Sequence, residues 1–272
     1  MSEPISVLMS LYKKEDPKAL SSCLDSILNQ TLLPNEILVV IDGPITHQLQ
    51  QVLDQYGKKT HLLRLLPQAQ NQGLGLSLAL GVKACAFDLI ARMDTDDIMN
   101  PDRLKIQAET FERTPTLGIC GSNITEFDGS LSNIVGHRNV PQSSKEIYNF
   151  AKRRNPFNHM SVMYRRSEVL AAGNYMPLRG FEDYYLWVRM LKNGTKGFNI
   201  QQSLVYARTG AEMYARRGGW SYLVTGIKGR YQIYRVGIAK FSDFVFVMGV
   251  HIVVSLMPNR LRGWFYNKTI HA

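Results

Sequence analysis

The stretch "FDLIARMDTDDIMNPDRL", residues 87–104, places three carboxylates, Asp94, Asp96 and Asp97, within four positions. Like charges this close repel, so they call for a counter-charge. An apolar strand-like run leads into the cluster and a helix start follows it. A D-x-D at the end of a buried strand suits a hard divalent cation. Carboxylate oxygens bind Mg²⁺ or Mn²⁺, which then bridge to phosphate oxygens and neutralise the cluster. The plainer alternative is three solvated loop acids, with Asp97 ordering the turn toward the next helix. Position at a strand end favours the cation.

Other residues invite chemistry less sharply. Glu182-Asp183 in "FEDYYLWVRMLKNG" opens a predicted helix, where acids are at home in the first turn. His159 in "NPFNHMSVMYRR" is a third metal ligand, a phosphate contact, or a structural histidine. Arg216 and Arg217 sit beside glycines, and guanidinium forks match phosphates. "NQGLGLSL" resembles a dinucleotide fingerprint, but that pattern needs glycine where Leu78 stands, and the stretch follows the third strand, not the first.

The elements that must position these groups alternate. Buried strands are expected at Ile5–Tyr12, Glu36–Gly43, His61–Pro67 and Asp88–Asp94. Helices are expected over 17–30, Thr46–Tyr56 and 74–86. A further helix has Asn100 as cap, Pro101 as first residue and its end near Arg113. Near-continuous apolar strands separated by helices predict a parallel sheet covered on both faces, with ligands beyond the carboxyl ends of the strands. Four such ends carry Tyr12, Asp42, Asn71 with Gly73, and the acid cluster. Beyond Glu112 the pattern predicts a hairpin around Asp128-Gly129, a short helix, a loop into a strand, the helix of Glu182-Asp183 with Leu186, Met190 and Leu191 inward, and a last strand. The sum is an α/β domain with a mixed sheet over 1–210, then a basic region over 211–272.

At 272 residues, 45% hydrophobic and 20% charged, the composition is that of a globular protein. Three widely spaced cysteines and an N-terminus without a secretory pattern predict a reduced, cytoplasmic setting. Net charge is +10, and residues 208–272 hold ten Lys or Arg against Glu212 and Asp243, a net +8. That basic surface suits nucleic acid, an anionic membrane or phosphates. "FVFVMGVHIVVSLM" within it is too short to span a bilayer. Flanking Lys240, Arg260 and Arg262, with Trp264, Phe265 and Tyr266, predict an interfacial helix; a helix packed on the domain is the alternative.

Taken together, "ISVLMSLYKKED", "EILVVIDG", "NQGLG", "ARMDTDDIMNPDRL" and "FEDYYLWVRML" resemble the inverting family-2 glycosyltransferases over about Ile5–Ala207. The tail motifs "ARTGAEMYARRGGW" and "LMPNRLRGWFY" are similar to enzymes of bacterial O-antigen, capsule or exopolysaccharide synthesis. The resemblance implies a GT-A-like (Rossmann-like) mixed sheet flanked by helices, with a basic amphipathic tail. It implies transfer of a hexose from a UDP-sugar to a polyprenyl-diphosphate-linked saccharide, at the inner face of the plasma membrane, with Mn²⁺ or Mg²⁺. By the same resemblance Ser10, Tyr12, Asp42, Asn71, Asp94, Arg216 and Arg217 bind donor. Asp96 and Asp94 hold metal and Asp183 is the general base; beside the resemblance, the residues themselves offer His159 as a third metal ligand and Glu182 and Tyr184 as acceptor contacts. Two alternatives compete. A sugar-nucleotide nucleotidyltransferase needs a glycine-rich first loop, where "YKKEDP" has none; a nucleic-acid-binding protein would use the basic tail.

Overall fold

The computed structural model describes residues 3–210 and 220–257. The four apolar runs form parallel strands: β1 (Ile5–Leu11), β2 (Glu36–Ile41), β3 (Leu63–Pro67) and β4 (Leu89–Arg92). β1 lies between β2 and β4, and β3 pairs with the far edge of β2. The crossovers are α1 (Pro17–Leu28), α2 (His47–Lys59) and α3 (Leu74–Ala84). Alternate strand residues feed two cores. Val7, Met9, Val39 and Ala91 pack on one face, and Leu8, Leu38, Val40 and Ile90 on the other. Both faces are covered, which is why these strands read as continuous apolar runs and not as alternation.

The second half extends the sheet. β5 (Ile98–Met99), β6 (Leu117–Phe127), β7 (Ile134–Arg138), β8 (Met163–Arg165) and β9 (Lys196–Arg208) complete the order β3-β2-β1-β4-β8-β6-β9-β5, with β7 paired to β6. β8 is antiparallel to both β4 and β6, whereas β9 runs parallel to β6, so the sheet is mixed. The β6–β7 hairpin turns at Gly129, whose φ is 70°. The remaining helices are α4 (Arg103–Arg113), α5 (Ser144–Phe150), α6 (Arg166–Ala171), α7 (Glu182–Lys192), α8 (Trp220–Arg235) and α9 (Phe241–Leu256), with one 3₁₀ turn at His159–Ser161.

One expected boundary moves. The helix after the acid cluster begins at Arg103, not at Pro101. Ile98 and Met99 pair with β9, Asn100 N donates to Leu204 O (3.0 Å), and Asn100 Oδ1 accepts from Asp102 N (3.0 Å). The strand pairing holds the chain extended through Asn100, so the asparagine closes a turn and does not cap the helix.

The last helix is arranged unusually. α9 packs on α8 through His251, whose Nε2 lies 3.2 Å from Leu223 O, and through Phe244, stacked on Tyr234 with ring centroids 4.6 Å apart; Asp243, His251, Val254 and Ser255 are buried. Gly226 permits the approach, since a Cβ there would collide with the His251 ring. Phe241, Val245, Phe246, Val250, Val253 and Leu256 are exposed instead. Three of the four residues α9 buries are polar; of its large apolar side chains, Phe244 stacks on α8, while the six named above face outward. The helix therefore packs on the domain yet keeps an apolar face outside.

Candidate active site

A cleft of about 720 Å³ opens at the carboxyl ends of β1, β2, β3 and β4. Its lining includes Ser10, Tyr12, Glu15, Asp42, Asn71, Asp94, Asp96, Arg179 and Glu182. The four strand ends picked out from sequence thus meet in one place. Asp42 is largely occupied within the protein. Its Oδ1 accepts from Gln72 N (2.7 Å), and its Oδ2 accepts from Asn71 Nδ2 (2.8 Å) and Gly73 N (3.0 Å). A carboxylate has about four acceptor sites, so about one is left for a ligand. The latch folds residues 71–73 over the cleft, and Gly43 makes room for it. Gly43 has φ 80°, and a Cβ there would stand 2.5 Å from Asn71 N.

The three aspartates have three different environments. Asp94 is gripped bidentately by Arg92, whose Nη1 donates to Oδ2 at 2.6 Å. Arg92 is itself buried. A buried guanidinium is therefore the resident counter-charge of the cluster, and it engages both oxygens of Asp94. Asp97 is buried too. Its Oδ1 accepts from Arg208 N (2.7 Å) at the end of β9, while Oδ2 has no hydrogen-bond partner. Asp97 thus fastens the acid loop to β9 and does not order the turn toward α4. Burial first, then Asp94 and Asp96, push its carboxyl well above the usual range. Asp96 receives no side-chain hydrogen bond among the causes acting on it; burial and Asp94 raise its pKa, and Arg92 and Arg208 oppose them. Glu15 faces the same acids from the β1–α1 loop. Burial, then Asp96 and Asp94, raise it to about 7, and Thr95 hydrogen-bonds it in opposition.

Asp183 stands in the first turn of α7, beside Glu182 of the cleft lining. Asn155 Nδ2 donates to Asp183 Oδ2 at 2.6 Å. Burial raises its pKa, opposed by the Tyr184 N–H, by Asn155, and by the charges of Arg138 and Arg92. Burial also raises Glu182, and Asp183 adds to that. A half-buried acid beside a cleft, raised yet held ionisable by donors and cations, is a competent proton acceptor.

Two expected site residues stand elsewhere. His159 lies in an aromatic shell around Trp187, with its Nε2 3.1 Å from Tyr175 Oη. Burial lowers its pKa well below the ordinary value. No group of three or more metal-ligating side chains forms among the described residues, so His159 does not complete a set with Asp94 and Asp96. Tyr184 is buried in the core and donates its hydroxyl to Ala151 O (2.8 Å), which turns it away from any acceptor. Arg216 and Arg217 lie outside the described residues. The residues missed from sequence are Arg92, Glu15 and Asn155. Arg92 carried a signal, a cation in an otherwise apolar strand; Glu15 and Asn155 carried none.

The donor set suits a Mg²⁺- or Mn²⁺-type ion. Asp96 lies beside Asp94 in the cleft lining, and burial with Asp94 raises its pKa against the opposing charges of Arg92 and Arg208. Ions of this kind use one or two protein carboxylates and complete their shell with water and substrate phosphates.

The family model "Glycosyl transferase family 2" matches residues 6–172. An uncharacterized glycosyltransferase of Haemophilus influenzae is 40% identical over 96% of this chain and 97% of its own. The amylovoran biosynthesis glycosyltransferase AmsE of Erwinia amylovora is 36% identical over 97% and 98%. A UDP-Gal:alpha-D-GlcNAc-diphosphoundecaprenol beta-1,3-galactosyltransferase of Escherichia coli is 35% identical over 97% and 96%. Among solved structures, S. aureus TarS 1-349 in complex with UDP-GlcNAc superposes with a TM-score of 0.66 at 18% identity, covering 92% of this chain and 71% of that one. The mannosyltransferase PcManGT of Pyrobaculum calidifontis, in complex with GDP-Man and Mn2+, gives 0.64 at 14% identity, covering 96% and 72%.

Proposed function

The chain belongs to glycosyl transferase family 2, and on that premise we propose that it moves a hexose from a UDP-sugar to a saccharide on polyprenyl diphosphate, with inversion, in the synthesis of a bacterial surface polysaccharide. The observation that carries this reading is the cleft at the strand ends, lined by Asp94, Asp96 and Glu182, with Asp183 next to Glu182 and held by Asn155 Nδ2 at 2.6 Å. The name of the E. coli relative supports the substrate classes, and that of the E. amylovora relative supports a role in polysaccharide biosynthesis. A β-linkage, as the E. coli relative's name records, is what single displacement gives on an α-configured sugar nucleotide. Family membership sets the nucleotidyltransferase alternative aside.

The acceptor hydroxyl oxygen forms a bond to the anomeric carbon. The bond from that carbon to the diphosphate breaks with its electron pair leaving on the diphosphate, and Asp183 takes the acceptor proton. Asp96 would hold a divalent ion with Asp94 behind it, and the ion would supply charge neutralisation for the departing diphosphate. Ser10, Tyr12 and Asn71 line the nucleoside side of the cleft, with Asp42 offering its remaining acceptor site to the uracil. Glu182 borders the acceptor. Arg216 and Arg217 are assigned to a diphosphate.

Residues 1–210 form the catalytic domain in this reading, and 211–272 hold it on an anionic membrane at the inner face. The outward apolar residues of α9 support the second assignment. Lys240 and Arg153 stand at the rim of that face, with the Arg153 guanidinium 4.9 Å from the Phe246 ring centroid. No helix among the described residues is long and apolar enough to cross a membrane.

The test is a donor-hydrolysis screen of UDP-, GDP- and dTDP-hexoses with and without Mn²⁺. It is followed by transfer from the best donor to GlcNAc-diphosphoundecaprenol. UDP-hexoses should turn over fastest, and Asp183→Asn should reduce transfer by about 10²–10⁴-fold while UDP still binds. A GDP- or dTDP-sugar preference overturns the donor assignment. Full transfer by Asp183→Asn overturns the base.

A further inference from the structure

The segment between α5 and the 3₁₀ turn, 151–158, is tied down at each end, its start by Tyr184 Oη donating to Ala151 O at 2.8 Å. Asn158 Nδ2 donates to Ser122 O at 2.9 Å and to Arg138 O at 3.3 Å. Pro156 O accepts from the buried Asn199 Nδ2 at 3.0 Å. Phe157 packs edge-on to Trp187 of α7, with ring centroids 5.9 Å apart. Asn155 precedes a proline, which disfavours the helical region for it and narrows its backbone choices. The segment is therefore a fixed platform beside the first turn of α7.

From this platform Asn155 reaches Asp183. Its Oδ1 accepts from Phe157 N at 3.3 Å, which leaves the amide nitrogen as the end that meets the carboxylate. The two ends of an asparagine amide are ordinarily ambiguous, and here the Phe157 N–H resolves them. Nδ2 then donates to Asp183 Oδ2 at 2.6 Å, a charge-assisted length.

We propose that Asn155 is a positioning residue for Asp183, fixing the orientation in which its carboxylate meets the acceptor hydroxyl. The assignment rests on the reading of Asp183 as the base. A base fixed by a third group is a recurrent device, because a displacement of about 1 Å at a reacting group costs about 10²-fold in rate. A second consequence follows from charge. Asn155 stabilises the ionised form of Asp183 against burial, together with the Tyr184 N–H, Arg138 of β7 and Arg92 of β4. Among the described residues, Glu182, Tyr175 and Tyr184 are the other titratable groups that interact with it. Without the Asn155 donor, Asp183 must hold its proton to higher pH.

Full-length Asn155→Ala and Asn155→Asp test this, assayed with the UDP-hexose selected by the screen and GlcNAc-diphosphoundecaprenol. In Asn155→Ala, kcat at pH 7 falls about tenfold to a hundredfold. KM for the donor stays within about twofold, because the donor does not touch Asn155 in this reading. The acid limb of the kcat profile moves to higher pH. Asn155→Asp, nearly isosteric, places a second carboxylate against Asp183 and moves the limb further in the same direction, and it carries the test if the alanine variant does not fold. A limb that stays in place in a folded variant overturns the proposal. Asp183→Asn separates the two readings. If that variant is inactive while the Asn155 limbs do not move, the positioning role alone falls; if it is active, the base reading falls with it.

Discussion

Two helices of this protein begin with an aspartate in the first turn, and the two acids behave in opposite ways. Asp183 of α7 is raised by burial, and Asp243 of α9 is lowered, first by the hydrogen bond from Arg153 Nε at 2.7 Å. The helix N-terminus favours a carboxylate in both places. The outcome is decided by what stands around it, a half-buried cleft wall in one case and a guanidinium in the other. The helices differ in the same sense along their lengths. α7 buries Leu186, Trp187, Met190 and Leu191, with Trp187 ringed by Phe157, His159, Tyr164 and Tyr175. α9 buries Asp243, His251 and Ser255 and turns Val245, Phe246, Val250 and Val253 outward. One helix builds the core and carries Asp183 in its first turn; the other is held by Phe244, Val254 and its buried polar residues and still offers apolar side chains outward. An apolar helix face is thus not a reliable sign of the core.

The contrast is tested most severely at Trp187. Trp187→Ala empties the centre of the aromatic shell, and urea unfolding should show a loss of about 3–5 kcal/mol. A loss below about 1 kcal/mol would deny α7 its role as the core helix. On α9 the expectation reverses. Phe246→Asp with Val250→Asp should shift the unfolding free energy by no more than about 0.5 kcal/mol. On the membrane reading, flotation with anionic vesicles should fall by about tenfold or more, since the desolvated apolar area is lost and two like charges are added. A large stability loss would place that face inside the fold, and loss of a dimer in place of vesicle binding would make its occupant a second copy.

The smallest effect separates the two aspartates by pH. Both start from an ordinary value of 3.8. Asp243 is lowered, so its contribution is present above the ordinary value and is lost as pH falls through the lowered one. Asp243→Asn should be slightly less stable at pH 7, by less than about 1 kcal/mol for a pair with a half-exposed arginine, and the gap should close in acid. Asp183 is raised, so its charge costs stability above the raised value and the cost vanishes below 3.8. Asp183→Asn should therefore be the more stable protein at pH 7, again converging in acid. Thermal midpoints at pH 7 and pH 3 measure both, and gaps of the same sign would break the contrast.

Much of the architecture was legible because it is written in short periods. Continuous apolar runs at 5–12, 36–43 and 88–94 declare strands covered on both faces, and the D-x-D at the end of the last one declares where ligand chemistry sits. The tail's apolar run and its basic flanks declared an unusual surface. Illegible were the partners. Asp97 binds a backbone N–H 111 residues away, and Asn155 meets Asp183 across 28. His159 and Tyr184 read as ligands in a linear scan, yet both turn into the shell and core around Trp187.

The amino-acid order by itself determined the element types, the sheet class, the strand-end cleft and the presence of an acid cluster at it. These follow from local periodicity and turn chemistry, which each segment carries alone. Only the tertiary structure decided that Arg92 is the cluster's resident cation, that it grips Asp94 and not Asp96, and that α9 shows apolar side chains to the outside. Periodicity says that a face is apolar, not what it faces. A carboxylate's charge state is likewise set by neighbours that only the fold brings near.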